Sequence, residues 1–232
     1  MQVELVKEFY VETAHRNPHG AGRRAQLHGH SLKVEVVVQG EVDPAMGWLI
    51  DYGDIKRAFE PLAEQLDHHD AADVDGLDDT SLDGIAAWIR ARLAPALPGL
   101  KDVRVSIAGE GAFAPRELPA DPRRNLPPRW RFSFEAAQSL PHLPDGHPCR
   151  LLHGHTYVVE VGAGDLERLR EPLRRLYERL DHRYLNEIPA LAAATSERLC
   201  AWIWEWLSRH VDDLAVVVVQ ETASARCVYH GR

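Results

Sequence analysis

The chain has 232 residues, of which 45% are hydrophobic and 27% charged, the composition of an ordinary soluble globular protein. Its formal net charge of −8 gives no electrostatic footprint for nucleic acid or for an anionic membrane. Three irregularly spaced cysteines are not a disulfide framework, and no signal peptide or membrane-spanning run is recognisable, so we expect a cytoplasmic protein.

The first half of the chain is predicted to contain two long strands, two helices and a closing strand. Apolar residues alternate along the second strand, and Asp43-Pro44 predicts a turn after it. Asp54 is expected to cap the first helix, which Pro61 should kink. The predicted elements are strands over 3–15, 28–38, 48–51 and 103–107, and helices over 54–66 and 81–94.

The second half repeats this order after a segment with five prolines, residues 111–129, which we interpret as a linker. Its helix over 196–209 has apolar residues on one stripe, which indicates packing against a core. The other predicted elements are strands over 131–138, 155–161 and 216–219 and a helix over 166–180.

Several motifs occur twice, in the same order. Leu-His-Gly-His stands at 27–30 and at 152–155, and Leu-Asp-His at 66–68 and at 180–182. The offset between the copies falls from 125 residues at the first motif to 114 at the second, so the second copy is shorter and its hairpin should be stunted. Repeated, ordered motifs indicate a tandem duplication, with one unit over 1–110 and another over 130–232.

The histidine motif of the first half predicts a zinc site. His28 and His30 are two residues apart on a strand, so their side chains point to the same face. His15, on the preceding predicted strand, supplies a third imidazole. Three protein ligands leave a fourth position open, which is the catalytic form of zinc coordination.

The second half has only two of these ligands, His153 and His155. Gln138 stands where the third histidine would be, and an amide is a poor zinc ligand beside imidazole. We therefore predict a weaker second metal site, unless the loop histidines His142 or His147 substitute.

The ordered motifs together resemble the 6-carboxytetrahydropterin synthase family, the bacterial branch of the 6-pyruvoyltetrahydropterin synthases. The resemblance extends over nearly the whole chain except the linker. It rests on the segments 40–44, 47–52, 66–69, 134–137, 140–142, 149–155, 180–182, 185–186, 195–197 and 221–222, with Cys227 and Tyr229.

This resemblance implies an α+β tunnelling fold (T-fold), an antiparallel sheet with two helices on one face, in each of two tandem units. Such units assemble into a barrel with sites between neighbours, so a homo-oligomer is expected. The implied cofactor is Zn²⁺. The implied activity is that of a lyase, the conversion of 7,8-dihydroneopterin triphosphate to 6-carboxy-5,6,7,8-tetrahydropterin on the route to queuosine.

The family's functional residues can be carried over position by position. Cys149 would move a proton, whereas the first half has Arg24 at that position. Glu221 would bind the pterin ring, and Glu110 is the candidate counterpart in the first half. The Asp-His pairs that would assist the cysteine, or merely cap a loop, are Asp67–His68 and Asp181–His182.

Neither half has the zinc triad and the cysteine together, so two alternatives remain open. One is a catalytically degenerate protein that binds a pterin or purine. The other is a related pterin synthase with a different product. A turnover assay would separate the degenerate protein from an active enzyme.

Overall fold

The computed structural model describes residues 1–231, which form two α+β units that share the element order β-β-α-β-α-β, with one further strand at each end of the second unit. Each unit is an antiparallel sheet with two helices packed on one face, the T-fold, because a single hydrophobic cluster joins both helices of a unit to alternate residues of its strands. None of the helices described is long and apolar enough to cross a bilayer.

The first unit has a four-stranded sheet in the order β3-β1-β2-β4. Strands β1 and β2 are antiparallel and place His15 opposite His28. Two residues along the same ladder, Thr13 lies opposite His30. The elements are β1 (Gln2–Arg16), β2 (Leu27–Glu41), α1 (Tyr52–Leu66), β3 (His69–Asp70), α2 (Leu82–Leu93) and β4 (Leu100–Ile107).

The second unit has the order β10-β9-β7-β6-β5, with β8 pairing beside β6. Strands β6 and β7 repeat the β1–β2 ladder, and Gln138 lies opposite His153. The elements are β5 (Arg116–Leu118), β6 (Arg129–Gln138), β7 (His153–Ala163), α3 (Arg170–Leu180), β8 (Arg183–Tyr184), α4 (Ser196–Leu207), β9 (Leu214–Gln220) and β10 (Arg226–Tyr229).

Four details differ from the sequence-based expectations. Residues 48–51 form a bend rather than a strand, because β2 already extends to Glu41 and the chain must then turn into α1. Asp51, not Asp54, caps α1 by accepting a hydrogen bond from the backbone N–H of Gly53. The helix runs without interruption through Pro61. Part of the expected linker, residues 116–118, is an edge strand on β6.

The two units pack against each other where β2 crosses β7. Gly29 and Gly154 meet at the crossing, and a methyl group on either would overlap the backbone of the other. Beside them, Ser31 and Thr156 exchange hydrogen bonds: each backbone N–H donates to the other residue's hydroxyl, at 3.2 Å and 3.1 Å. This reciprocal contact relates the units by an approximate two-fold axis and brings each histidine motif close to the opposite unit.

Candidate active centres between the two units

The first centre is formed by His15, His28 and His30, which are each no more than 3% exposed. The Nε2 atom of His15 lies 3.2 Å from that of His28 and 3.0 Å from that of His30. Each Nδ1 is occupied elsewhere, because it faces a backbone carbonyl or a carboxylate: Thr80 O at 2.6 Å, Gln26 O at 2.7 Å and Glu135 Oε2 at 2.8 Å.

This arrangement fits a zinc ion. With Nδ1 donating its hydrogen, each Nε2 carries a lone pair, and three converging lone pairs repel unless a cation lies among them. Tetrahedral zinc with Zn–N bonds of about 2.05 Å would set these nitrogens roughly 3.3 Å apart, close to the observed separations. Burial, followed by the nearby His30, lowers the pKa of His28 to about 2, so the imidazole stays neutral and able to bind metal.

An Asp-His pair from the second unit faces this triad. The ring of His182 lies 4.3 Å from that of His28, and its Nδ1 is 2.6 Å from Asp181 Oδ2. The pair is fixed on β6, because the His182 N–H donates to the carbonyl of Glu135 and the Glu135 N–H donates to Asp181 Oδ1. Since the backbone of His182 has a φ of 53°, these contacts stabilise an uncommon left-handed conformation.

The second centre reverses the roles of the two units. His153 and His155 come from the second unit, and His68 of the first unit places its ring 4.6 Å from that of His153. His68 has the same left-handed backbone, with a φ of 60°, and its Nδ1 is 2.9 Å from Asp67 Oδ2. Each Asp-His pair therefore serves the histidine motif of the opposite unit.

Gln138 and Glu221 occupy the position where the first centre has its third histidine. The Gln138 amide donates to Glu221 Oε1 at 2.5 Å and lies 3.4 Å from His153 Nε2. Glu221 Oε1 is also 3.2 Å from His155 Nε2. Burial opposes ionisation of Glu221, but the hydrogen bonds from His155 and Gln138 outweigh it and lower the pKa of this carboxyl group.

Cys149 belongs to the second centre. Its sulfur and one nitrogen each of His68 and His153 all lie within 4.8 Å of one another. Partial burial, and then the charge of Glu221, raise the pKa of the Cys149 thiol. A cationic neighbour would favour the reactive thiolate, and His68 is the imidazole placed to supply it.

The first unit lacks counterparts to both Cys149 and Glu221. Arg24 stands at the cysteine position, as expected. The strand register aligns Glu221 with Ile107, because Lys33 pairs with Ser106 as Val158 pairs with Gln220. The expected equivalence of Glu110 to Glu221 is therefore wrong.

Glu110 lies three residues beyond Ile107 and is exposed, with its backbone N–H donating to Ser133 Oγ at 3.1 Å. The loop histidines also lie outside both centres. His142 is exposed, and exposed His147 accepts the backbone N–H of Cys149 at 3.2 Å, so neither replaces the missing ligand.

A groove of about 660 Å³ runs along the junction of the two units and reaches the second centre. Both units line it. Its polar lining includes Glu12 and Glu221 at the end near His155, and Lys33 and Arg131 farther along. A molecule the size of a bicyclic heterocycle with a charged side chain fits a volume of this order.

Two carboxylates that orient the histidines were missed in the sequence. Glu12 of the first unit accepts a hydrogen bond from His155 Nδ1 at 2.9 Å, and Glu135 of the second unit accepts one from His30 Nδ1 at 2.8 Å. Burial raises the pKa of Glu135 to about 8. The sequence did contain a signal for them, because the two glutamates occupy equivalent positions in the repeat. Each lies three residues before the position of the third ligand, His15 or Gln138, among mostly apolar residues of its strand.

Each centre combines a histidine cluster of one unit with an Asp-His pair of the other. The chain is therefore of a class of protein whose sites are assembled from two similar units. A family model described as 6-pyruvoyl tetrahydropterin synthase matches residues 4–112 and 129–232, two segments, as a tandem duplication requires. The chain belongs to this family.

Two proteins similar to this chain in sequence agree with this assignment. The chain is 36% identical over 124 residues to the 6-carboxy-5,6,7,8-tetrahydropterin synthase of Synechocystis, a match covering 50% of this chain and 96% of that protein. It is 34% identical over 74 residues to the dihydroneopterin monophosphate aldolase of Pyrococcus furiosus, covering 32% and 61%. The Caenorhabditis elegans 6-pyruvoyl tetrahydropterin synthase structure overlaps 47% of this chain and 90% of that chain, with 17% identity and a TM-score of 0.41.

Proposed function

We propose that the chain is a zinc-dependent lyase that converts 7,8-dihydroneopterin triphosphate to 6-carboxy-5,6,7,8-tetrahydropterin. The observation that carries the proposal is the meeting of Cys149 with His68 of the opposite unit, in the centre whose Glu221 also lines a groove with the volume that a pterin would need. The relatives named above act on pterins, and the first centre supplies three convergent imidazoles for zinc.

The acid–base chemistry belongs to the second centre in this proposal. Cys149, as thiolate, would take a proton from the substrate side chain, and His68 would stabilise the thiolate and exchange the proton. Asp67 accepts from His68 Nδ1, which orients the ring with its Nε2 available to the thiol. Asp67 acts through His68 and is a positioning residue.

The groove explains how a pterin would be oriented. Glu221 Oε1 is engaged by Gln138 and His155, and the carboxylate lines the groove, where Oε2 can accept a ring N–H. Lys33 and Arg131 line the same groove and would attract the triphosphate. Glu110, which is exposed, is retained as a weaker candidate contact to substrate.

His15, His28 and His30 would hold the zinc ion of the first centre. Zinc bound there supplies Lewis acidity toward a hydroxyl or carbonyl oxygen. Asp181 and His182 stand beside it with no thiol in reach among residues 1–231, so proton transfer by cysteine is confined to the second centre.

The test is turnover of 7,8-dihydroneopterin triphosphate by the purified chain. Cys149→Ala should lower kcat by on the order of 10²-fold or more, the scale of a positioned acid–base group. Asp67→Asn should lower kcat and shift its pH profile, while Asp181→Asn should leave the acid–base limbs of the profile in place. Cys227→Ala is the matched control, because this half-buried thiol lies on β10 and should leave kcat unchanged.

Undiminished turnover by Cys149→Ala would show that the thiol is not catalytic. A wild-type chain that binds pterins without converting them would instead establish the degenerate binding protein. Turnover to a product other than 6-carboxytetrahydropterin would establish the related synthase.

We also propose that the chain forms a homo-oligomer. Strand β4 is an edge of the first sheet, and exposed sheet edges are normally covered or paired. Light scattering at micromolar concentration should show an assembly larger than 26.1 kDa, and a uniform monomer would contradict this part of the proposal.

A further inference from the structure

Three donor atoms converge in the second centre although its third histidine is missing. One ring nitrogen each of His153 and His155 and a carboxylate oxygen of Glu221 all lie within 4.8 Å of one another. His155 Nε2 and Glu221 Oε1 are 3.2 Å apart, close to the separation of two ligands on one tetrahedral ion.

The surroundings aim these donors as they are aimed in metal sites. His153 Nδ1 faces the carbonyl of Leu151 at 2.8 Å, and His155 Nδ1 faces the carboxylate of Glu12 at 2.9 Å. The Nε2 atom of His155 therefore points at Glu221 Oε1, and a bound cation would replace the hydrogen that these two atoms share. Ligating histidines almost always donate their other ring N–H in this way, and ligating carboxylates are themselves hydrogen-bonded.

Gln138 completes this outer shell. It is fully buried, and its amide donates to Glu221 Oε1 at 2.5 Å while its own oxygen has no hydrogen-bond partner within residues 1–231. A buried amide oxygen without a partner costs free energy. This cost is explained if the role of the Gln138 amide is to hold Glu221 toward the two imidazoles, and not to form the largest number of hydrogen bonds itself.

We infer that His153, His155 and Glu221 bind a divalent transition-metal ion, separate from the ion of the first centre. Two histidines and a glutamate with an open fourth position form a recurrent catalytic metal set. The glutamate oxygen makes this donor set harder than three imidazoles, so it should accept Zn²⁺ and also ions that prefer oxygen, such as Fe²⁺ or Mn²⁺. Gln138 is a positioning residue for Glu221.

This inference goes beyond the proposed function and can be tested apart from it, because the readout is metal content and not turnover. An ion in this position would lie beside Cys149, whose thiol shares His153 as a neighbour. Two bound ions without pterin turnover would leave the inference standing and reject the proposed function. One ion with full turnover would do the reverse.

The experiment titrates the chelator-treated full chain with Zn²⁺ and counts the bound ions by equilibrium dialysis. The wild type should bind two ions per chain. His15→Ala and Glu221→Ala should each bind one, and the double variant none. Glu64→Ala, which removes an exposed glutamate of α1 outside both donor sets, is the matched control and should bind two.

A single ion in the wild type that disappears in His15→Ala would overturn the inference, as would two ions in Glu221→Ala. Gln138→His provides a second approach if Glu221→Ala does not fold. It offers an imidazole at the third position and should retain two ions with tighter binding of the second. If the Gln138→His chain bound only one ion, the inference would also be overturned.

Discussion

Substituting alanine for Gly29 should separate the two units and so weaken both centres at once. The added methyl group would lie 2.8 Å from the carbonyl oxygen of Thr13 and closer still to the Cα atom of Gly154. Ordinary non-bonded contacts lie at about 3.5–4.0 Å, so the Thr13 contact alone requires a shift of about 0.7 Å within the first unit. The contact with Gly154 is closer still, so the second unit must move away by more than this amount. Both obstacles are backbone atoms, which cannot rotate away.

Forced overpacking of this kind costs about 1–3 kcal/mol. In a chain of this size each kcal/mol lowers Tm by about 2–4 °C, so Gly29→Ala should lower Tm by about 2–12 °C. Because each Asp-His pair reaches its centre across the same crossing, a displacement of nearly 1 Å should also lower kcat by on the order of 10²-fold.

Differential scanning calorimetry and turnover would be measured beside Gly40→Ala. Gly40 lies on the same strand, but its added methyl group meets the end of the flexible Leu49 side chain rather than backbone. If Gly29→Ala had the same Tm and kcat as Gly40→Ala, the reasoning that the glycine crossing sets the spacing of the units would be refuted.

Two further predictions concern stability. Burial lowers the pKa of His28 to about 2 and of His153 to about 3, lowers the pKa of His15 and His30 as well, and raises the pKa of Glu135 to about 8. Between pH 6.5 and 5.5 the unfolded forms of these four histidines take up protons that the folded forms do not, at a cost of about 1 kcal/mol each for His28 and His153. Two groups act in the opposite sense: folded Glu135 gains about 1 kcal/mol by holding a proton that the unfolded chain lacks, and His155, whose pKa is raised to about 9 because burial is outweighed by its hydrogen bonds to Glu12 and Glu221, gains a smaller amount. Urea unfolding of the metal-free chain should therefore show at least about 1 kcal/mol of stability lost over this interval, and constant or rising stability would contradict the assignment. In the second unit, Arg129 and Glu160 form an ion pair in which each side chain is 7% exposed. Glu160→Leu should cost about 3–5 kcal/mol by leaving the arginine unpaired, and Arg129→Met in the same chain should recover most of the loss; an equally unstable double variant would show that packing and not charge is responsible.

The strands and helices were predictable because their signals are local. Alternating valines predicted β2, and the leucine and tryptophan stripe predicted α4. Residues 48–51 were predicted wrongly as a strand because Leu49 and Ile50 pack against the first unit's core without joining a strand ladder. A short apolar run has no periodicity that distinguishes these two environments.

The metal triad was predictable from the spacing of His28 and His30 and from the repeated segment that contains His15. The residues of the opposite unit that face the triad were not predictable. Which Asp-His pair faces Cys149 depends on how the units cross, and nothing local in the sequence fixes that crossing. Glu12 and Glu135 act across the same junction, so each resembles an ordinary polar residue of a strand until the opposite unit is present. The counterpart of Glu221 likewise depends on strand register, which sequence spacing misjudged by three residues.

The reciprocal junction also explains what the covalent connection between the units achieves. Two free first halves could pair through the same glycine crossing, and would then combine the metal triad with Asp67–His68 but no thiol. Two free second halves would combine Cys149 with Asp181–His182 but no triad. Joining unlike halves in one polypeptide raises the effective concentration of the mixed pair, commonly to the millimolar range for short tethers, and so suppresses both like-with-like assemblies. The tether thus selects which partner each half meets.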